Sequence, residues 1–125
     1  MCALFRIALA VSAMALAAPA TAQSTTKFDG TYAGVSRDVT ADNSKSSCTR
    51  GDNHYVLTIA NGTATLPWGT AGQLGGQITP TGALTMRATS GSITAHFDGQ
   101  IDPTGKVTAN VLVYNCGYLM VWQKK

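Results

Sequence analysis

The chain reads as an all-β protein: a small eight-stranded antiparallel up-and-down β-barrel, built of hairpins and carrying one disulfide. Three observations lead there. A ten-residue phrase, GQITPTGALT from Gly76, returns 23 positions later as GQIDPTGKVT from Gly99. Segments that alternate apolar and polar residues follow one another with turn residues between them, and no window beyond the leader has a helical period. Two cysteines, Cys48 and Cys116, fall where the first and last strands of such a barrel would meet. A two-sheet β-sandwich accommodates the same observations and is the alternative fold.

Residues 1–22 stand apart. They carry one positive charge, Arg6, an apolar run from Ile7 to Ala18, and the small triplet Ala20-Thr21-Ala22. That is the pattern of a secretory signal peptide cleaved before Gln23. The run is too short to span a bilayer, which takes about 20 residues, and no membrane anchor is expected. Residues 23–125 then form a single β-barrel domain, periplasmic or secreted. Without Arg6, eight of the nine Lys/Arg remain, against six Asp and no Glu. So small an excess leaves no electrostatic footprint for nucleic acid or an anionic membrane. The two cysteines left after processing read as one disulfide, the usual fate of an even count in an exported chain.

The first strand, near 27–37, is FDGTYAGVSR, and the long segment Asp38 to Asn53 follows it. Strands at 54–60 and 63–68 flank Asn61-Gly62, the strongest short hairpin signal, because a type I′ turn needs positive φ at both positions. The pairing sets Ile59 opposite Ala64, Leu57 opposite Leu66 and Tyr55 opposite Trp68. Strands at 72–78 and 83–89 flank Pro80-Thr81-Gly82. Proline presets φ for the first turn position, and glycine takes the left-handed position of the bulge that follows. Ile78 then faces Leu84, Gly76 faces Met86, Leu74 faces Ala88 and Gln73 faces Thr89. Strands at 92–101 and 106–114 repeat the device around Pro103-Thr104-Gly105, pairing Ile101 with Val107, Phe97 with Val111, Ala95 with Val113 and Asp98 with Asn110. The last strand, 117–123, is apolar on both faces: Tyr118, Met120 and Trp122 on one, Leu119 and Val121 on the other. One of these sets is expected to form a patch able to pair with a second copy.

In an up-and-down barrel the tight turns gather at one end, and the long 38–53 segment, PWGTAG, TSG and NCG gather at the other. Loops on a rigid scaffold carry function, and barrel mouths hold ligands. Tyr55 and Trp68 are the candidate ligand-binding pair there, as rings on which a ligand ring or sugar could stack or as core plugs. His54 joins them as a candidate ligand-binding residue, and Asp52-Asn53-His54 reads as an ordinary polar loop rather than a catalytic pair or metal ligand. His96 and Asp98 share a strand face about 7 Å apart, but alternation puts them outside. The sequence has no nucleophile elbow, no Cys-x-x-Cys and no His-x-x-x-His, so neither catalysis, metal nor cofactor is expected. The leading reading is a module that binds a small molecule at the open end. The alternative is a protein-binding module, such as a secreted protease inhibitor, acting through the 38–53 segment or the leader QSTTK. A structural role in the cell envelope is the third reading.

The opening FDGTYAG resembles the G-x-W first strand of calycins, the lipocalins, avidins and their relatives, with Gly30 in the glycine place and Tyr32 in that of the tryptophan. The resemblance implies an up-and-down barrel with a large first loop over an open mouth, and a basic partner near the last strand, for which Lys124 and Lys125 are available. In size the domain is similar to the small bacterial metalloprotease inhibitors that share this barrel. From FDGTYAG to MVWQKK it also resembles exported proteins of Gram-negative bacteria.

Overall fold

A computed structural model describes residues 25–42, 48 and 51–125. Residues 1–22, expected from the sequence to be a signal peptide, lie outside the described residues. The strands are β1 (Gly30–Asp42), β2 (Val56–Ala60), β3 (Thr63–Trp68), β4 (Gly72–Ile78), β5 (Ala83–Gly91), β6 (Ala95–Ile101), β7 (Lys106–Val113) and β8 (Cys116–Lys124). Each pairs with the next, antiparallel, and β8 returns to β1 to close the barrel. Closure leaves no sheet edge unpaired, and it excludes the sandwich.

The turns set the registers. Asn61 and Gly62 have φ of 53° and 75°. Both their N–H groups donate to the Asp29 carboxylate, at 2.8 and 3.2 Å, which ties the turn to the segment before β1. In the two Pro-Thr-Gly loops the N–H of Thr79 donates to the carbonyl of Ala83 at 2.9 Å, and that of Asp102 to Lys106 at 3.0 Å. Gly82 and Gly105 take the left-handed position, at +88° and +82°. The pairings that follow are those expected from the alternation, Ile78 with Leu84 through Leu74 with Ala88, and Ile101 with Val107 through Ala95 with Val113. One departs from expectation. Gln73 faces Ser90 rather than Thr89, because an extra residue in β5 shifts the register there, and the Thr89 hydroxyl donates to the Gln73 carbonyl at 3.2 Å instead.

β1 differs most from its expected span of 27–37. It begins at Gly30, since the preceding residues form a cap: Phe28 is buried under the barrel, and its carbonyl accepts the hydroxyl of the enclosed Tyr32. Burial, and then the nearby Asp29 carboxylate, push the Tyr32 phenol above its ordinary pKa. The strand runs on to Asp42 because β8 pairs with it as far as Cys116. Two register shifts interrupt that ladder, one between Gly34 and Ser36 and one between Val39 and Ala41.

The inward residues fill the lumen. Trp122, Tyr32, Phe97, Leu57, Leu74, Met86 and Met120 are each less than 2% exposed, and the Phe97 and Trp122 rings meet at 5.5 Å. The small inner positions complement the large ones. A Cβ on Gly99 would lie 2.8 Å from the Phe97 ring. On β8, Tyr118, Met120 and Trp122 point inward, while Leu119 and Val121 lie half-buried on the outside. Cys48 and Cys116 form the disulfide, with Cα atoms 5.7 Å apart. A disulfide of this kind points to an oxidising compartment.

Candidate functional site: the barrel mouth

Away from the tight turns, the barrel wall is held differently. The registered β2–β3 pairing stops at Thr58–Thr65. Pro67 lies two residues further on and has no N–H to offer the neighbouring strand. The registered β1–β2 pairing ends at Ala33–Val56, and beyond it one backbone bridge, Arg37 with Gly51, joins the approach to β2 to β1. Between β2 and β3 the gap is spanned by side-chain packing. The rings of Tyr55 and Trp68 stack face to face, 4.0 Å between centroids and 14° from parallel. Trp68 is buried and Tyr55 half-buried.

Asn53 fixes this arrangement. Its enclosed amide donates through Nδ2 to the Val121 carbonyl at 3.0 Å, and its Oδ1 accepts the Tyr55 N–H at 3.1 Å. The Trp122 indole donates to the Tyr55 carbonyl, also at 3.0 Å. The backbone before Tyr55 can sit this close to β1 because residue 34 is glycine. A Cβ there would come within 2.2 Å of the Asn53 carbonyl oxygen.

A residue the alternation did not single out completes the group. On the even phase of β1, Tyr32 and Gly34 point inward. The register shift after Gly34 inserts Val35, which is exposed, and inverts the phase, so that Arg37 sits opposite the inward Met120. A β-bulge near a barrel rim commonly re-aims a side chain in this way. The Arg37 guanidinium carbon lies 5.8 Å from the Tyr55 ring centroid and 5.5 Å from that of Tyr118, within cation–π range of both. Its Nε is buried and has no hydrogen-bond partner. With Trp68 against one face of Tyr55, the cation takes the other, giving the sequence Trp68, Tyr55, Arg37, Tyr118 across the mouth. The only local trace of this in the chain is a change of parity between Tyr32 and Val39, with a glycine between them; the pairing with β8 is what fixes it.

No family model, curated protein or solved structure matches this chain. The site is therefore read from its own geometry. Of the residues expected here, Tyr55 and Trp68 come together, on each other rather than splayed around a gap. His54 is exposed, on the outer phase next to Tyr55. Asp42 lies close to the sulfurs of Cys48 and Cys116, but those sulfurs are bonded to each other, so the group is a crosslink and not a metal centre.

Two concavities flank the mouth. One, of about 380 Å³, lies between β1 and Gly51–Asp52, is bordered by Arg37, and carries the carboxylates of Asp38 and Asp52. The other, of about 360 Å³, crosses β6 to β1 and is lined by His96, Asp98, Asn110 and Leu112, with Gly117 and Thr40 at its far side. His96 and Asp98 thus lie on the outer face, as their alternation requires.

Proposed function

We propose that this protein is an exported small-ligand-binding barrel, periplasmic or secreted, that holds its ligand at the open end against the Tyr55–Trp68 stack. The observation that carries this reading is the replacement of backbone pairing by aromatic side chains at one point of the rim. Below it the inward residues Trp122, Phe97, Leu57 and Met120 are enclosed, which favours a ligand on the mouth over one deep in the barrel. Pockets lined by aromatic rings with a few placed polar groups are the usual form of small-molecule sites. Among the described residues the rim brings together rings, an amide and a guanidinium, groups suited to holding a ligand. The calycin-like opening strand agrees with it: Tyr32 pairs in register with Lys124, which puts a basic residue beside the aromatic.

Trp68 reports on the site. Its emission should change on exposure to the low-molecular-weight extract of the exported fraction, and Trp68→Ala should abolish the response, leaving only the enclosed Trp122. Native mass spectrometry of the protein from that fraction, before and after denaturation, would weigh what it holds. An inert Trp68 and a bare mass would together sink the reading.

A protein-binding role, such as protease inhibition, has one observation in its favour. Tyr114, in the β7–β8 turn, is 54% exposed and held at a φ of 52°, a conformation costly for a bulky residue. The two readings part on the same variant, because capture of a protein through Tyr114 would survive Trp68→Ala.

A further inference from the structure

The geometry points to an organic anion as the ligand, its carboxylate or phosphate paired with Arg37. This inference rests on the mouth being a small-ligand site and names the ligand class. The first support is that a guanidinium has been turned inward. Without the extra residue Val35, Arg37 would lie on the solvated face of β1 like Ser36 and Asp38. The second is that its charge is unanswered. Among the described residues it interacts with two tyrosine rings, and its Nε–H is buried without an acceptor. Burying a donor without a partner is unfavourable, the more so when the group is charged. Ring faces attract a cation but offer no lone pair in the plane of the guanidinium. A planar two-oxygen acceptor does, and bidentate pairing with carboxylate or phosphate is what this fork is shaped for.

Asp38 and Asp52 line a concavity that Arg37 also borders. Their carboxylates disfavour approach of an anion from that side. The ligand must therefore enter over the rim, where the Tyr55–Trp68 stack offers an apolar surface next to the cation. The body that fits is flat or apolar and small, bearing one anionic group.

The test uses the intact oxidised protein and three probes: benzoate, inorganic phosphate and benzyl alcohol, the last matching benzoate in shape without its charge. The readouts are the Arg37 Nε–H resonance, assigned in the wild type by through-bond correlation to its own side-chain carbons, and Trp68 emission. We expect benzoate to shift both signals, and phosphate to compete with it at the Arg37 resonance. Arg37→Gln should weaken benzoate at least tenfold while leaving benzyl alcohol unchanged. If benzyl alcohol binds as well as benzoate and Arg37→Gln alters neither, the mouth is a ligand site but not an anion site, and the inference fails alone. If no probe moves either signal, the inference and the proposed function fail together. The wild-type Arg37 resonance decides the matter even if the variant folds poorly.

Discussion

At the mouth, the side chain of Asn53 makes two hydrogen bonds from a position 3% exposed, one to the last strand and one to the backbone of Tyr55. Truncating it would leave the Val121 carbonyl and the Tyr55 N–H without partners in a place water reaches poorly. Asn53→Ala should therefore cost about 2 kcal/mol, the range for exposing buried polar groups to no partner, seen as a lower urea midpoint. The same variant should shift Trp68 emission to the red, because Asn53 holds the ring that Trp68 stacks on. A variant that lost stability with unaltered emission would show that Asn53 supports the wall but not the site.

Among the elements, the two Pro-Thr-Gly turns are the same device with one difference. In the first, Thr79 Oγ1 accepts the Ala83 N–H at 3.1 Å. In the second, Asp102 occupies that place, and its carboxylate accepts from the Thr104 hydroxyl, the Thr104 N–H and the Lys106 N–H. The Thr104 hydroxyl bond first, then the Lys106 N–H bond, hold the Asp102 carboxyl below its ordinary pKa. A group whose pKa is lower folded than unfolded adds stability above its unfolded value, near ~3.9, and loses it as pH falls through the folded value. Asp102→Asn should thus flatten part of the acid limb of a stability–pH curve below pH about 4, while Thr79→Asn, in the matching turn, should leave that limb unchanged. An identical acid limb in wild type and Asp102→Asn would overturn this.

These turns also show what was legible in the chain. Asn61-Gly62 and the two Pro-Thr-Gly loops state their own geometry, and two-residue periodicity carries each register away from them, which is why Ile78–Leu84 and Phe97–Val111 could be paired by inspection. Bulges break that inference, since one inserted residue inverts every side chain beyond it. Thr89 lost its partner to Ser90 this way, and Arg37 was not singled out. The lower half of β1 was readable from Tyr32. The upper half had to wait for β8, because nothing local in SRDVTAD announces a strand. Of the site, the Tyr55–Trp68 encounter followed from the hairpin, whereas Asn53 and Arg37 depend on contacts with residues far along the chain.

For the whole molecule, the seam between β1 and β8 is the one ladder that joins distant parts of the sequence, and the disulfide sits at its mouth end, next to the Asp42–Cys116 pair. Its cysteines are 68 positions apart. Loop closure of that length is worth roughly 4 kcal/mol in the chain-entropy account. Cys48→Ser with Cys116→Ser should lower the stability by about that amount, measured by urea unfolding against the oxidised protein, and an unchanged midpoint would refute the assignment.

The same seam has a kinetic meaning. Seven of the eight ladders link neighbours in sequence and can form early by short searches, but the eighth requires the two ends of the sheet to find each other, the kind of distant encounter that slows folding. The oxidised chain enters that search with its ends already tethered, so the disulfide acts before the native state exists, as a guide to closure and not only a brace upon it. Refolding of the oxidised protein should accordingly outpace that of the cysteine-free variant, with unfolding rates much closer together. A chain that acquires this crosslink early would spend less time as an open sheet with two sticky edges.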